Sequence, residues 1–337
     1  MASSSSNTHL IIAALESKIV PVPDFDLPAP YTYELRRHLL TPPETIAERI
    51  KDADIVIMSV VPLRGKFLDP AVSPRLKLIV VVAVGTDTID LEACKKRGIA
   101  VANSPLCNSV AVAEHAIALY FAVRRSVVFS QKKLRSAAEF TTNDTLLKAM
   151  KGPDGNAPRT CRHETVGIVG YGGVGRIVES LAKALGMKVL VSGRKGASAT
   201  AEGRTSFETL IRESSVIVLC LPRSPETMDL ISKAELEAMK PYAVIVNVSR
   251  GGIVNEKALV AALKTRKIGG YATDVYEQEP PSLETSTLLA PDTADLNLVT
   301  TPHVAWFAEE TFTNFADAIK ENVVGWVSTG RPKYPVI

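Results

Sequence analysis

Short β-branched and aliphatic runs alternate along the chain with longer stretches in which apolar residues recur every three or four positions. The runs predict strands at Leu10–Ala14, Asp54–Val61, Leu78–Val84 and Ile99–Ala102. Further strands are expected at Thr165–Val169, Lys188–Ser192, Ser215–Leu221, Ala243–Val248, Gly269–Asp274 and Asn297–Thr300. Runs this apolar suit strands covered on both faces, the condition of parallel sheets. Ten such strands are many for one doubly wound sheet, so the pattern predicts an α/β chain with two domains. A long helix is expected from Asn108 to about Lys133, a spacer between the domains. Near the end, Glu309–Trp326 places Phe312, Phe315, Ile319, Val323 and Trp326 at helical spacing. That stripe predicts a helix packing back on the first domain, which makes that domain discontinuous. The polar stretch Thr141–His163 reads as a surface excursion, and the polar start Met1–Asn7 as disordered.

Composition changes this picture little. The 337 residues suffice for two cores, and 46% hydrophobic with 22% charged residues is an ordinary globular balance. A net charge of +3, from 39 basic and 36 acidic residues without a Lys/Arg-rich run, argues against a nucleic-acid partner. No signal-peptide start and no apolar run of membrane length are present, so a cytoplasmic protein without a membrane partner is the expectation. Cys94, Cys107, Cys161 and Cys220 have neither zinc-ligand nor redox spacing. They read as buried thiols in a reducing compartment, with no metal site expected.

The chemistry begins at Gly170-Tyr171-Gly172-Gly173-Val174-Gly175, which follows the strand at Thr165 and opens a helical stretch. A G-x-G-x-x-G in that setting predicts dinucleotide binding. Gly170 permits the tight turn, Gly172 lets the backbone approach a pyrophosphate, and Gly175 allows close helix–strand packing. The next strand ends at Ser192-Gly193-Arg194-Lys195, where NAD-preferring units usually carry an acid for the ribose hydroxyls. An Arg there grips a 2′-phosphate, so NADP(H) is expected over NAD(H), with NAD(H) a lesser possibility. Lys195, Ser192 and Thr205 are further contributors. Leu221, Pro222, Thr227, Val248, Ser249, Arg250, Asp274 and His303 complete the expected cofactor contacts.

Three segments following predicted strands carry the residue types that carbonyl reduction needs. In Asn247-Val-Ser-Arg250-Gly-Gly252, a turn holds an Arg able to bind a carboxylate or polarise a keto oxygen. In Asp274-Val-Tyr-Glu277-Gln-Glu279-Pro280, Asp274 is placed to accept from a nicotinamide carboxamide, and two prolines stiffen Glu279. In Thr301-Pro-His303-Val-Ala-Trp306, His303 is the natural proton donor near neutral pH. Alone, Arg250 reads equally as a surface Arg, Glu279 as a solvated acid and His303 as structural. The other four histidines, His115 among them, read as structural or exposed.

Together these segments resemble the D-isomer-specific 2-hydroxyacid dehydrogenases, in particular the glycerate dehydrogenases and hydroxypyruvate or glyoxylate reductases. The likeness runs from about Asp54 to about Trp326. It includes Val84-Gly85-Thr-Asp87-Thr-Ile-Asp90, Asn103-Ser-Pro105 and Val112-Ala-Glu114-His-Ala, and then the Gly-rich, Arg-Gly, Glu-Pro and Pro-His segments. The resemblance implies two Rossmann-like domains with parallel sheets. A cofactor domain over 106–305 is inserted into a discontinuous flavodoxin-like substrate domain over 1–105 plus 306–337. It also implies an active site in the cleft between them and a homodimer. By the same resemblance Arg250 holds the substrate, and His303 is the general acid. Glu279 orients His303 and favours its imidazolium form. Asp274 orients the nicotinamide, and the backbone at Val84 and Gly85 helps bind the carboxylate.

Trp306 is expected to limit substrate size, which with NADPH favours hydroxypyruvate or glyoxylate as substrate. A dehydrogenase of larger 2-oxo acids is the alternative, and a nicotinamide-sensing corepressor the alternative of another class. A formate-type dehydrogenase is disfavoured because that branch usually has Gln where this chain has Glu279. Two departures bear on dimer geometry and specificity: Ala138-Glu139-Phe140 stands where members often carry Trp, and Thr141–His163 is longer than the usual connection.

Overall fold

A computed structural model describes residues 8–135, 137–142, 146–197 and 201–337; the expected disorder of Met1–Asn7 lies outside the described residues. The chain forms two compact units, Met1–Asn108 with Ala308–Ile337, and Ser109–Phe307.

The first unit holds β1 (His9–Ala14), β2 (Thr32–Arg37), β3 (Ile55–Met58), β4 (Leu78–Val81) and β5 (Ala100–Ala102). All pair in parallel, in the flavodoxin-like order β2-β1-β3-β4-β5. β3 and β4 are buried at every position, which is why their runs are wholly apolar. β2 has no such run and was not among the expected strands. It is an edge strand, Thr-Tyr-Glu-Leu-Arg-Arg, held by backbone pairing to β1 and by Arg36 bonded to Glu34 and Asp52.

The returning helix Glu309–Thr329 buries Phe315, Ile319 and Val323, with Thr311, Ala318, Asn322 and Val327 beside them. Phe312 and Trp326 are half-buried. Asn322 is fully buried and satisfied: it donates to the Asn103 carbonyl at 2.9 Å and accepts the Tyr334 N–H at 2.9 Å. These bonds tie the helix to the end of β5.

The second unit holds β6 (Thr165–Val169), β7 (Lys188–Val191), β8 (Val216–Leu219), β9 (Val244–Asn247), β10 (Gly270–Thr273) and β11 (Leu298–Thr300). The all-parallel order is β11-β10-β9-β8-β6-β7. Chain direction across the sheet reverses at β6, between β7 and β8, and such a switch point opens a crevice at the carboxyl ends of the strands.

The single helix expected from Asn108 to Lys133 is two, Ser109–Arg124 and Val127–Leu134, separated by Ser126 at φ +48°. The first ends where Arg124 becomes a buried anchor. Its Nε meets Glu164 at 2.5 Å, and its other nitrogens donate to the Tyr242 and Ser215 carbonyls at 2.8 and 2.9 Å. The described part of Thr141–His163 is more than a surface excursion. Leu146 is buried, the Arg159 guanidinium lies 3.2 Å from the Tyr242 ring centroid, and Arg266 donates to the Lys151 and Gly152 carbonyls.

Candidate active site

The Gly-rich loop leaves β6 at the switch point. Gly170 has φ +92°, and a Cβ there would stand 2.5 Å from the Cys220 carbonyl oxygen. A Cβ on Gly175 would stand 2.4 Å from the Gly170 oxygen, so only glycine lets helix Gly173–Ala184 start this close to the strand. At Gly172 the opposite holds: nothing lies within 4 Å of where a Cβ would be. Gly172 is the helix N-cap and no side chain caps it, so the first N–H groups face open space. That cradle fits the pyrophosphate of a dinucleotide. Val174 packs partly into the core. Tyr171 donates to Glu179, and the guanidinium groups of Arg176 and Arg204 lie 4.6 and 4.4 Å from its ring centroid.

Just beyond β7, Ser192 forms a parallel bridge with Thr205 and bonds the Gly193 carbonyl at 2.7 Å. Arg194 is exposed, and its carbonyl accepts the Ala197 N–H at 3.3 Å. Lys195 is drawn elsewhere: its ammonium meets Glu235 at 2.7 Å and the Leu230 carbonyl at 3.1 Å. After β8, Leu221 is half-buried and the Thr227 hydroxyl donates to the Pro222 carbonyl at 2.9 Å.

The three segments that carry the candidate residues follow β9, β10 and β11. After β9, Val248 and Ser249 are buried, and buried Asn247 folds the turn. It accepts from the Ser249 N–H and hydroxyl at 3.1 and 2.7 Å and donates to the Arg250 carbonyl at 3.0 Å. Arg250 is half-buried and donates to its neighbour's carbonyl at 2.8 Å. Gly251 lies against the chain after β10: a Cβ there would stand 1.8 Å from the Tyr276 carbonyl carbon and oxygen.

After β10, the Glu279 carboxylate accepts the Tyr276 N–H at 3.0 Å and faces His303 Nδ1 at 2.6 Å. Burial alone would raise the Glu279 carboxyl, but the His303 hydrogen bond and charge, with Arg250 adding to them, hold it below its ordinary value. The Glu279 carboxylate thus feels both other members of the set. His303 has φ +56°, a left-handed conformation that costs a non-glycine residue roughly 1–2 kcal/mol. The loop is held there by several bonds. The Trp306 indole donates to the His303 carbonyl at 3.0 Å, and the His303 N–H to Thr301 at 3.1 Å. Asp274, buried and directly after β10, accepts from the Thr301 hydroxyl at 2.5 Å and from the Val304 and Ala305 N–H groups at 3.0 and 2.8 Å.

Residues 117–305 match the family model for the NAD-binding domain of D-isomer-specific 2-hydroxyacid dehydrogenases. The chain is 37% identical over 297 residues to the glycerate dehydrogenase of Methylorubrum extorquens, covering 86% of this chain and 88% of that one. The chain belongs to the D-isomer-specific 2-hydroxyacid dehydrogenase family. It is an oxidoreductase. A glyoxylate reductase of Thermococcus litoralis is 33% identical over 315 residues, 90% of this chain and 89% of that one. Among solved structures, an acyclic imino acid reductase in complex with NADPH and D-Arg superposes with TM-score 0.75 at 25% identity, over 97% of this chain and all of that one.

The second unit therefore brings Glu279 and His303 into contact, sets Arg250 within their electrostatic reach and ties Asp274 to the His303 loop. Val84 and Gly85 lie in the first unit, just past β4, where the Val84 carbonyl accepts from Asn103 at 2.7 Å. Sequence reasoning passed over Thr301, Tyr276 and His115, and saw Gly251 only as part of a turn. Each lies in a segment already singled out: Thr301 two residues before His303, Tyr276 between Asp274 and Glu279, Gly251 beside Arg250, and His115 within Val112-Ala-Glu114-His-Ala.

Burial pushes the Cys94 and Cys107 thiols up to about 11, so neither is a nucleophile near neutral pH; Cys161 and Cys220 are half-buried. A cavity of about 360 Å³ at the amino ends of the strands, lined by Arg124, Arg159, Tyr242 and Arg266, is remote from this chemistry. Its guanidinium groups are already bonded to protein. No helix among the described residues is long and apolar enough to cross a membrane.

Proposed function

We propose that the chain is an NADPH-preferring reductase of small 2-oxo acids, hydroxypyruvate and glyoxylate, forming D-2-hydroxy acids with His303 as general acid. The observation that carries the reading is the 2.6 Å contact of Glu279 with His303 Nδ1, with the Arg250 charge acting on the same carboxylate. A nicotinamide cofactor, when bound, supplies the hydride. Glu279 engages Nδ1, so the proton that His303 delivers to the carbonyl oxygen leaves from Nε2. Arg250 binds the substrate carboxylate and stabilises negative charge growing on that oxygen. Asp274 orients the nicotinamide, and Trp306 limits the size of the substrate side chain.

Arg194 supports NADPH: it is an exposed cation where an NAD-preferring unit carries an acid. A homodimer belongs to the same reading and rests on the family resemblance. The test follows absorbance at 340 nm with hydroxypyruvate, glyoxylate, pyruvate and phenylpyruvate, each with NADPH and NADH. Fastest turnover of hydroxypyruvate or glyoxylate with NADPH is expected. Turnover of phenylpyruvate alone overturns the substrate, and preference for NADH overturns the cofactor.

A further inference from the structure

The Asp274 carboxylate is committed to the loop that carries His303. Three donors converge on it: the Thr301 hydroxyl on Oδ1 at 2.5 Å, the Val304 N–H on Oδ1 at 3.0 Å and the Ala305 N–H on Oδ2 at 2.8 Å. A carboxylate accepts at about four lone-pair sites, so most of its capacity is filled before any ligand arrives. The Thr301 hydroxyl has one proton, and Asp274 takes it. The other acceptor in reach, the Thr273 carbonyl, is a long 3.5 Å away. Yet a fourth group touches the Thr301 oxygen: Nε2 of His115, on helix Ser109–Arg124, at 3.0 Å. With its proton committed, Thr301 Oγ1 receives His115 only as an acceptor, so His115 Nε2 carries a hydrogen. The same nitrogen is 3.7 Å from Asp274 Oδ1, beyond hydrogen-bond range, so Thr301 mediates between them.

From this geometry we propose that His115 and Thr301 are positioning residues for the reaction, holding the His303 loop through Asp274, with His115 fixed as the Nε2–H form. The proposal rests on the reading of His303 as proton donor. His303 itself is left-handed and half-exposed, and Glu279 engages its ring at Nδ1. The loop is fixed on both sides of it: Thr301 before, Val304 and Ala305 after. The Thr301 carbonyl also accepts the Tyr276 hydroxyl at 3.1 Å, and the Tyr276 N–H serves Glu279. The chain His115–Thr301–Asp274 thus fixes the end of the His303–Glu279 pair that Glu279 does not. Removing the Thr301 hydroxyl leaves Asp274 short of a donor and His115 without an acceptor, and lets the loop drift. Misplacement of a reacting group by about 1 Å reduces rate on the order of 100-fold.

The experiment compares Thr301→Val, Thr301→Ser, His115→Leu, His115→Gln and His303→Gln by kcat, KM for both substrates and thermal unfolding. Thr301→Val keeps the side-chain shape and loses the hydroxyl. Its kcat is expected to fall about 10- to 100-fold with KM for NADPH within threefold, and Thr301→Ser to recover to within threefold of the parent. His115→Leu is expected to fall similarly, and His115→Gln, which retains an N–H donor, to recover most of the loss. Unchanged kcat in folded Thr301→Val and His115→Leu, beside an inactive His303→Gln, overturns the positioning role alone. An active His303→Gln overturns the proton-donor reading and this role with it. Independently of turnover, long-range ¹H–¹⁵N correlations of His-labelled parent, assigned with His115→Gln, are expected to report the Nε2–H form. The Nδ1–H form overturns the hydrogen-bond direction, even if every Thr301 variant fails to fold.

Discussion

Adding one methyl group at Gly251 should disable the site without altering Arg250, Glu279 or His303. The Cβ of Gly251→Ala would stand 1.8 Å from the carbonyl carbon and oxygen of Tyr276 and 2.3 Å from the Glu277 nitrogen, all backbone atoms. Ordinary contact begins at 3.4 Å, so the two segments must separate by about 1.6 Å, the difference between 3.4 and 1.8 Å. One segment carries Arg250. The other carries the Tyr276 N–H that holds Glu279 and the Tyr276 hydroxyl that holds Thr301. A displacement of this size, at about 100-fold per ångström of misplacement, predicts a loss in kcat/KM of at least about 100-fold. That corresponds to about 2.7 kcal/mol of transition-state stabilisation. The overpacking should also lower folding stability by about 1–3 kcal/mol, leaving the protein folded at 25 °C. Steady-state rates at 340 nm read the first effect and urea unfolding the second. A folded Gly251→Ala protein with kcat/KM within threefold of the parent would refute the reasoning.

Other expectations follow from single contacts. Arg194→Ala should raise KM for NADPH at least tenfold and leave that for NADH within twofold; equal changes for both would remove Arg194 from 2′-phosphate recognition. Glu279 has its carboxyl held below the ordinary 4.5 in the folded state. It therefore contributes stability that is present above 4.5 and lost as pH falls through its lower folded value. Urea unfolding of the parent should weaken faster below pH 4.5 than that of Glu279→Gln, and parallel profiles would count against the pairing with His303. Arg124→Leu strands the buried Glu164 carboxylate and should cost about 3–5 kcal/mol in urea unfolding, with a loss under 1 kcal/mol contradicting the anchor.

What was legible in the sequence is what local pattern encodes. A strand buried on both faces has to be apolar along its length, so β3, β4, β8 and β9 announce themselves, whereas β2, an exposed edge strand, has the composition of a loop. The Gly-rich turn is legible because the close approach of Gly175 to Gly170 leaves no room for any other residue. The break at Ser126 is not, because the residues Val127–Leu134 resume a helical pattern and the buried pairing of Arg124 just before it is with Glu164, forty residues on. At the site, Arg250, Glu279 and His303 stand out by residue type and by their neighbours. His115 does not: its partner Thr301 is 186 positions away, and only the packing of helix Ser109–Arg124 on the sheet brings them together. Asp274 was legible as a strand-end acid, but that its bonds run to the His303 loop depends on where β11 delivers Thr301.

The central claim is that His303, oriented by Glu279, protonates a 2-oxo acid as hydride arrives. The most direct measurement is single-turnover oxidation of NADPH by excess enzyme with hydroxypyruvate, followed at 340 nm, for the parent and His303→Ala, with the chirality of the glycerate determined. The account predicts D-glycerate from the parent and a rate lower by about 100- to 10,000-fold in the variant, the contribution of a positioned general acid. A His303→Ala rate within threefold of the parent, or L-glycerate as product, would contradict it.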